Sequence, residues 1–424
     1  MATAPFNHGT RVIQAGSEPR PMEIADVSTI GAAVVAPAAD ASVFPINEPV
    51  AFYTHEADKI AALGASPHAL DIINAVRAQG IEAQCVFVRV EEDASHETTI
   101  TNLIGSAAAM TGVHALSYAR GHVGVEPDLL VVPGYSAGRL DNAKNPVADA
   151  LEQVSEKLKA VAIFDTGGTS AADSLKFRAD FSSRFTYLVD PFVRVASGSE
   201  TVVKPASAYA AAMFVKKDKM KGGPYWSPSN QEVKGILGTA RPITYFDGEI
   251  DHEANKLNEA GIATFIPSRI VQGAGGQFAP NGRILWGNRG ASEDPIWKFI
   301  NVVRTRATIE KTIVNSFRPW ANDENMSAQH VMAVMRTLQS LLDELTAVGA
   351  ILGGRAFWDR NMNPNASLRM GKLRIEFDAE ETPPLEDLIF GSRRNEAYFD
   401  NLAADIQRKI SVTFGNTLSD YLSA

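Results

Sequence analysis

Short apolar runs alternate with helical patterns from Val27 to about Ile250. Runs rich in β-branched and aromatic residues predict strands, and apolar residues that recur every three or four positions predict helices. The predicted strands are Val50–Tyr53, Cys85–Val90, Leu129–Val132, Ala160–Phe164 and Met213–Val215, and the predicted helices cover about 66–78 and 146–159. Strands that alternate with helices in this way are typical of an α/β domain.

Beyond residue 251 the pattern changes to longer helices separated by glycine-rich loops. Between Val331 and Val348 the apolar residues step by three and four, with Ser327 as the N-cap and Gly349 as the C-terminal stop. A second helix is expected after Pro295. Its apolar face consists of Ile296, Phe299, Ile300 and Val303. The change of pattern predicts a domain boundary close to residue 254.

Three further segments show the alternation of apolar and polar residues that is typical of extended chain. Lys372–Phe377 predicts a half-buried strand that ends before Pro383 and Pro384. The other two segments lie at the two ends of the chain and predict extended arms. The residues of these arms are Thr10, Arg11, Val12 and Ile13 at the amino end and Ile410, Val412 and Phe414 at the carboxyl end.

Composition and charge narrow the classes of function. The 424 residues include 40 basic and 49 acidic side chains, which gives a net charge of −9. A general polyanion binder needs clustered positive charge, so direct binding of nucleic acid is not expected. The single cysteine, Cys85, excludes an intrachain disulfide and lies in an apolar run that predicts burial. The amino terminus has no secretory signal pattern, and the most apolar stretch, Ile30–Ala39, is too short to span a bilayer.

One motif resembles the nucleophile elbow of an α/β serine hydrolase. Gly134–Gly138 places Ser136 directly after a predicted strand, and Asp247 with His252 or His330 would complete a triad in the right chain order. A nucleophile elbow leads at once into a helix, whereas the residues up to Pro146 are polar and rich in turn formers. An ordinary turn is therefore the favoured interpretation, and a serine hydrolase that uses Ser136 is the alternative.

Other catalytic and cofactor patterns are incomplete. Asp165–Gly167 has the triplet of an aspartic-protease loop, but the sequence has no second copy of it. The sequence contains no Gly-x-x-x-x-Gly-Lys-Ser/Thr loop for phosphate, and its eight histidines show no metal-binding spacing. No cofactor or metal is expected, which favours assembly over catalysis as the function.

Five phrases of the sequence carry a family resemblance. They are His8–Val12, Tyr225–Asn230, Leu257–Ile262, Trp286–Arg289 and Trp297–Arg304. In content, order and spacing they resemble contractile phage tail sheath proteins, in particular the short sheaths of P2-like phages and R-type bacteriocins, and the similarity is strongest over about 222–355. Such sheaths usually have an Arg-Arg pair after Asn-Val, whereas Val303 here precedes Arg304, and Arg306 supplies the second charge.

The resemblance implies an α/β and α+β multidomain fold. An inner α+β domain would be built from both chain ends, with an inserted outer α/β domain and extended terminal arms. The expected divisions are an N-terminal arm at 1–24, the outer domain at 25–254, the conserved inner domain at 255–405 and a C-terminal arm at 406–424.

The resemblance also implies a structural function without enzymatic activity. Such subunits polymerise as stacked hexameric rings around a tail tube and contract to drive the tube through the target cell envelope. The expected partners are other copies of the chain, the tail tube protein, and the baseplate and tail terminator proteins. The expected location is the contractile tail of a virion, after synthesis in the host bacterial cytoplasm. A bacteriocin or another contractile injection system fits the same residues.

Basic residues on the remaining faces of the helix that follows Pro295 form the first candidate contact surface. They are Lys298, Arg304, Arg306 and Lys311, and only Glu310 opposes them. We expect this positive face to contact an acidic surface of the tube or acidic residues of a neighbouring subunit, and a merely solvated helix face is the alternative. The residues of the two arms form the second candidate surface, because an extended segment adds a strand to a neighbour's sheet through main-chain hydrogen bonds.

Overall fold

The computed structural model describes residues 28–268, 282–323 and 325–414, in two compact units that divide between Pro384 and Leu385. The strands in these residues are β1 Ile30–Val35, β2 Pro49–Tyr53, β3 Gln84–Val90, β4 Leu129–Val131, β5 Val161–Asp165, β6 Thr186–Val189, β7 Val193–Ser197, β8 Glu200–Lys204, β9 Gln231–Val233, β10 Gly238–Thr239, β11 Ile262–Pro267, β12 Arg283–Trp286, β13 Ile351–Phe357 and β14 Glu376–Glu381. The helices are α1 Ala57–Ala62, α2 Pro67–Ala78, α3 His96–Ile104, α4 Ala119–Val123, α5 Pro146–Leu158, α6 Ala171–Arg178, α7 Ser207–Lys221, α8 Glu253–Glu259, α9 Ile300–Asp323, α10 Ala328–Ala347, α11 Asn365–Arg369 and α12 Tyr398–Phe414.

A nine-stranded sheet forms the centre of the first unit. Its strand order is β2-β3-β1-β4-β5-β6-β11-β12-β9. The six strands from β3 to β11 are parallel, whereas β2 pairs antiparallel with β3 at one edge, and at the other edge β12 pairs antiparallel with both β11 and β9. A sheet with a parallel centre must be covered on both faces, because its strands are apolar on both sides. This arrangement confirms the predicted α/β class.

Helices cover both faces of this sheet and produce two apolar cores. Helices α2 and α7 bury Ile73 and Phe214 in one core, and α5 and α6 bury Leu151 and Phe177 in the other. Cys85 of β3 is fully buried, as its apolar neighbours predict, and burial raises the pKa of its thiol to about 12. Among the helices of the described ranges, none is both long enough and apolar enough to cross a bilayer.

A smaller layer in the same unit consists of α10 and the β13–β14 hairpin. The hydroxyl of Ser327 accepts a hydrogen bond from the backbone N–H of His330 at 3.1 Å, which caps α10 as predicted. Gly349 follows the helix with φ of +77°, a conformation that favours glycine at a helix end. Leu342 and Leu345 of α10 pack against Ile351 of β13 in a third core. The strongest helical pattern in the sequence therefore forms the expected helix.

Three predicted elements differ from the structure. Met213–Val215, predicted as a strand, lies inside α7, where every residue from Ser207 to Val215 is buried. A helix that is apolar all round has no amphipathic period, so its sequence cannot be told from a buried strand. The strand predicted at Lys372–Phe377 begins instead at Glu376. The helix expected after Pro295 starts as a short 3₁₀ turn and becomes α-helical at Ile300, which leaves Ile296 71% exposed.

The predicted domain boundary at 254/255 does not separate two packing units. Strand β11 pairs in parallel with β6, and β12 pairs with β9, so residues on both sides of the predicted boundary share one sheet. The pattern change near residue 251 reflects longer helices and not the end of the sheet. The observed division at Pro384 falls inside the predicted inner domain, 255–405.

The predicted carboxyl-terminal strand is also corrected, because Ile410, Val412 and Phe414 belong to helix α12. Apolar residues in α12 recur at helical spacing over its whole length, at Phe399, Leu402, Ile406 and Ile410. This longer pattern prevails over the short alternation at its end. The other predicted arm, with Thr10, Arg11, Val12 and Ile13, lies outside the described residues, as do positions 415–424.

Candidate assembly surfaces

The first candidate surface is the basic side of α9, and its central residue is turned inward. Arg304 is 4% exposed, and both of its terminal nitrogens donate to the carboxylate of Asp218 in α7, at 2.9 and 2.6 Å. The guanidinium also lies 5.0 Å from the ring centroid of Phe214. A bidentate pair of this kind fixes the position of α9 against α7.

Arg306 makes a second ion pair within the chain. Its Nε donates to Glu381 of β14 at 2.5 Å, and its Nη2 donates to the carbonyl oxygen of Ala379 at 2.7 Å. The exposed fractions of the two charged side chains are 20% and 5%, so the pair is largely shielded from water. Arg306 therefore connects α9 to the β13–β14 hairpin.

Lys311 joins α9 to the large sheet. Its ammonium group contacts the carboxylate of Asp128, just before β4, and lies 3.0 Å from Glu126. Burial raises the pKa of Asp128 to about 6, and the charge of Lys311 opposes that shift. Glu310 does not face these cations; it pairs instead with Lys159, which follows α5.

The predicted exposed basic face is therefore wrong for Arg304, Arg306 and Lys311. Arg304 and Arg306 are two positions apart and therefore point to different sides of α9, and helical periodicity does not show the carboxylates that distant elements bring to each side. The Lys311–Asp128 contact, for example, spans 183 positions of sequence. Lys298 is half-buried just before α9 and has no ion-pair partner within the described ranges, so it remains the one candidate of the four for a contact outside the chain.

The serine of the candidate nucleophile elbow is fully buried. The hydroxyl of Ser136 donates to the carbonyl oxygen of Val132 at 2.9 Å, and the next helix begins only at Pro146. The side chain of Asn145 holds the intervening turn by donating to three carbonyl oxygens, among them that of Ala137 at 3.2 Å. His252, one candidate base, accepts the backbone N–H of Asn255 and caps α8. This geometry is that of a turn and contains no exposed nucleophile.

The carboxylate of Asp165 has a structural role at the carboxyl end of β5. It accepts hydrogen bonds from the backbone N–H of Ala206 at 2.6 Å, from that of Ser207 at 2.9 Å and from the hydroxyl of Ser207 at 2.5 Å. Burial raises the pKa of Asp165 to about 6, and the hydrogen bonds from Ser207 and Ala206 oppose that shift. These contacts fix the beginning of α7 on the sheet.

The β13–β14 hairpin is a surface that the sequence patterns did not predict as a unit. Strands β13 and β14 pair antiparallel from Ile351 with Glu381 to Phe357 with Glu376. Within the part of the chain that the structure describes, each strand pairs only with the other, while side chains bond to part of the main chain: Gln339 to Gly354 and Ala356, and Arg306 to Ala379. The Leu-Gly-Gly-Arg sequence of β13 interrupts the alternation of apolar and polar residues, so the sequence pattern did not predict this strand.

Comparison with known proteins identifies the family. The family model for the phage tail sheath protein central domain matches residues 108–272, and the model for the phage tail sheath C-terminal domain matches residues 292–393. A putative prophage major tail sheath protein of Pseudomonas aeruginosa (strain UCBPP-PA14) is 33% identical over 394 residues, which cover 91% of this chain and 95% of the relative. The chain belongs to the phage tail sheath family.

Other sheath proteins show the same similarity over nearly the whole chain. The tail sheath protein of Escherichia phage P2 is 28% identical over 413 residues, 95% of this chain and 98% of that protein. The contracted sheath complex of the extracellular contractile injection system PVC has a similar fold, with a TM-score of 0.64, 14% identity and coverage of 94% of this chain and 100% of that one. The contracted helical sheath of the anti-feeding prophage also has a similar fold, with a TM-score of 0.63 and 17% identity. The match covers 91% of this chain and 99% of that one. The predicted family resemblance is confirmed, and the chain is a contractile tail sheath subunit.

Proposed function

We propose that this sheath subunit polymerises as stacked six-fold rings around a tail tube and contracts to drive the tube through the target cell envelope. The observation that carries the proposal is the 33% identity to a prophage tail sheath protein over 91% of the chain. The similar folds of two contracted sheaths support a subunit that can occupy such a lattice. Its partners would be other copies of itself, the tube protein, and the baseplate and tail terminator proteins.

The free energy for contraction is stored in the assembled lattice. The sequence has no phosphate-binding loop of the Gly-x-x-x-x-Gly-Lys-Ser/Thr type, and the described residues contain no group of side chains that could hold a metal ion. The extended lattice is therefore the state of higher free energy, and contraction releases that free energy as subunits rotate into better-packed contacts. The subunit acts without enzymatic activity, in the tail of a virion assembled in the host cytoplasm.

The N-terminal arm, residues 1–24, links neighbouring subunits by adding a strand to a sheet. The outer edges of the β13–β14 hairpin are suitable acceptors, because neither has a neighbouring strand in the described residues; an added strand would replace side-chain bonds that Gln339 and Arg306 make to the hairpin. The alternating residues Thr10, Arg11, Val12 and Ile13 would determine the register of the added strand.

Deletion of residues 1–15 tests this linkage. Sedimentation velocity of the concentrated full chain should show large polymers, alone or with its tube protein, while the shortened chain should remain a folded monomer. Circular dichroism and a urea unfolding curve serve as the folding control, because both cores lie outside the deleted segment. Polymerisation of the shortened chain at normal yield would show that the arm is not the link.

A further inference from the structure

Three lysines at the carboxyl end of α7 have no carboxylate partner in the described parts of the chain. We call Lys217, Lys219 and Lys221 the lysine patch; Lys217 and Lys221 lie one turn apart, and Lys219 lies on the other side of the same last turn. Lys217 is half-buried, and burial together with the charge of Lys221 lowers its pKa. Lys221 lies 4.9 Å from the ring centroid of Trp226, and Met220 within the patch is 64% exposed. Clustered positive charge without a counter-charge in the described residues attracts a surface of opposite charge.

The lysine patch lies at the end of the large sheet where its parallel strands begin. Helix α7 starts at the carboxyl end of β5, because its first residue, Ser207, donates to Asp165. Near its other end, Asp218 accepts a hydrogen bond at 2.9 Å from Ser28, two residues before β1 begins. Helix α7 therefore runs opposite to the strands and carries its lysines to their amino ends.

Acidic side chains lie at the opposite end of the same sheet, where the parallel strands finish. Glu91 and Glu92 directly follow β3, one of the parallel strands, and Glu97 lies in the first turn of α3. We call these three residues the acidic run. All three are exposed, and none has an ion pair within the ranges that the structure describes. The single chain thus presents the lysine patch where the parallel strands begin and the acidic run at the carboxyl end of β3.

We propose that the lysine patch of one subunit binds the acidic run of a second copy, in a head-to-tail contact between subunits of the same orientation. Two different surfaces that meet in this way form a heterologous contact, which repeats along an assembly without closing on itself. The contact also relieves the repulsion among the lysines, and its strength decreases as salt screens the charges. This inference rests on the proposed function, since it specifies a contact within the polymer.

Charge reversal on each side of the contact tests the inference in the full chain. The variant Lys219→Glu/Lys221→Glu should raise the critical concentration for polymerisation ~10-fold or more, because like charges then face each other. Glu91→Lys/Glu92→Lys should do the same from the other side. The four substitutions combined reverse both surfaces and should restore a critical concentration close to that of the wild type, as measured by pelleting at low salt.

A matched control separates a local contact from net charge. Lys176→Glu/Lys372→Glu changes the charge by the same amount at two exposed lysines outside the lysine patch, and it should polymerise like the wild type. Normal polymerisation of either reversed variant, or no rescue by the combined variant, would overturn the inference and leave the proposed function intact. A wild-type chain that never polymerises would overturn both. Unchanged urea midpoints of the monomers verify that each variant is folded.

Discussion

At the scale of single residues, the largest predicted effect belongs to the buried pair Arg304–Asp218. Replacing Arg304 with Met leaves the carboxylate of Asp218, which is 3% exposed, without its strongest partner. Loss of one member of a buried pair costs about 3 to 5 kcal/mol of unfolding free energy. Urea unfolding of the monomeric chain measures this loss.

Arg355→Met is the control, since Arg355 and Asp378 are 72% and 59% exposed and such pairs contribute about 0 to 1 kcal/mol. Similar losses in the two variants would contradict the assignment of Arg304.

The raised pKa of Asp165 predicts a pH dependence with a definite sign. Burial raises this pKa from 3.8 to about 6, so the folded state binds a proton more tightly than the unfolded state does. The resulting stabilisation is complete below the unfolded pKa and is lost as the pH rises through about 6. At about 1.4 kcal/mol per pKa unit, the wild type should lose on the order of 3 kcal/mol between pH 4 and pH 7 through this group.

Asp165→Asn isolates that contribution. The amide oxygen still accepts the backbone N–H groups of Ala206 and Ser207, but the side chain no longer titrates. Unfolding free energies measured at several pH values should decrease less steeply in the variant than in the wild type. Parallel curves would show that folding does not raise the pKa of Asp165 and would contradict this prediction.

Sequence patterns locate charged residues better than they locate the partners of those residues. The four cations were predicted to form one positive face, but Lys298 precedes α9, and Arg304 and Arg306, two positions apart, point to different sides of it. The partners of the α9 cations, Asp218, Glu381 and Asp128, come from a helix, a strand and a loop that are distant in sequence. Only the packed fold brings these groups together, so an exposed contact surface and a set of internal ion pairs have the same sequence signature.

At the scale of elements, amphipathic helices and short apolar strands were predicted well, whereas alternating segments were not. Helices α2, α5 and α10 and strands β2 to β5 fall close to the predicted ranges, because each has one apolar side or a short apolar run with clear turn signals. The failures have two physical causes. Helix α7 is buried on all sides from Ser207 to Val215, so its apolar residues show no helical periodicity. At the end of α12, the alternation of apolar residues is too short to outweigh the helical spacing before it.

Helix α12 gives a prediction that tests the corrected end of the chain. Ala404→Pro places a proline in the helix interior, where it removes one hydrogen bond and costs about 3 kcal/mol. In the unpolymerised full chain, backbone amides around residues 402–414 should then exchange with solvent ~100-fold faster. Tyr398→Pro is the matched control, since proline is tolerated at the first helical position. Wild-type amides that already exchange as in an unfolded peptide would contradict the helix.

At the scale of the whole molecule, the fold class was predictable and the division into domains was not. The resemblance to sheath proteins gave the correct family, and the α/β pattern gave the correct large sheet. The sheet continues past residue 254 because β11, with the sequence Ile-Ala-Thr-Phe-Ile-Pro, pairs with β6. Local sequence patterns do not show that a strand after a change of pattern joins the preceding sheet. Its pairing depends on which edge of that sheet remains unpaired in the fold.

The central claim is that this single chain builds a hollow, ring-stacked sheath. Negative-stain electron microscopy of the purified, concentrated chain, alone and after mixing with its tube protein, tests it most directly. We expect long hollow cylinders with regular striations, and averaged end views should show six-fold symmetry. Discrete monomers or small oligomers under every condition would contradict the account.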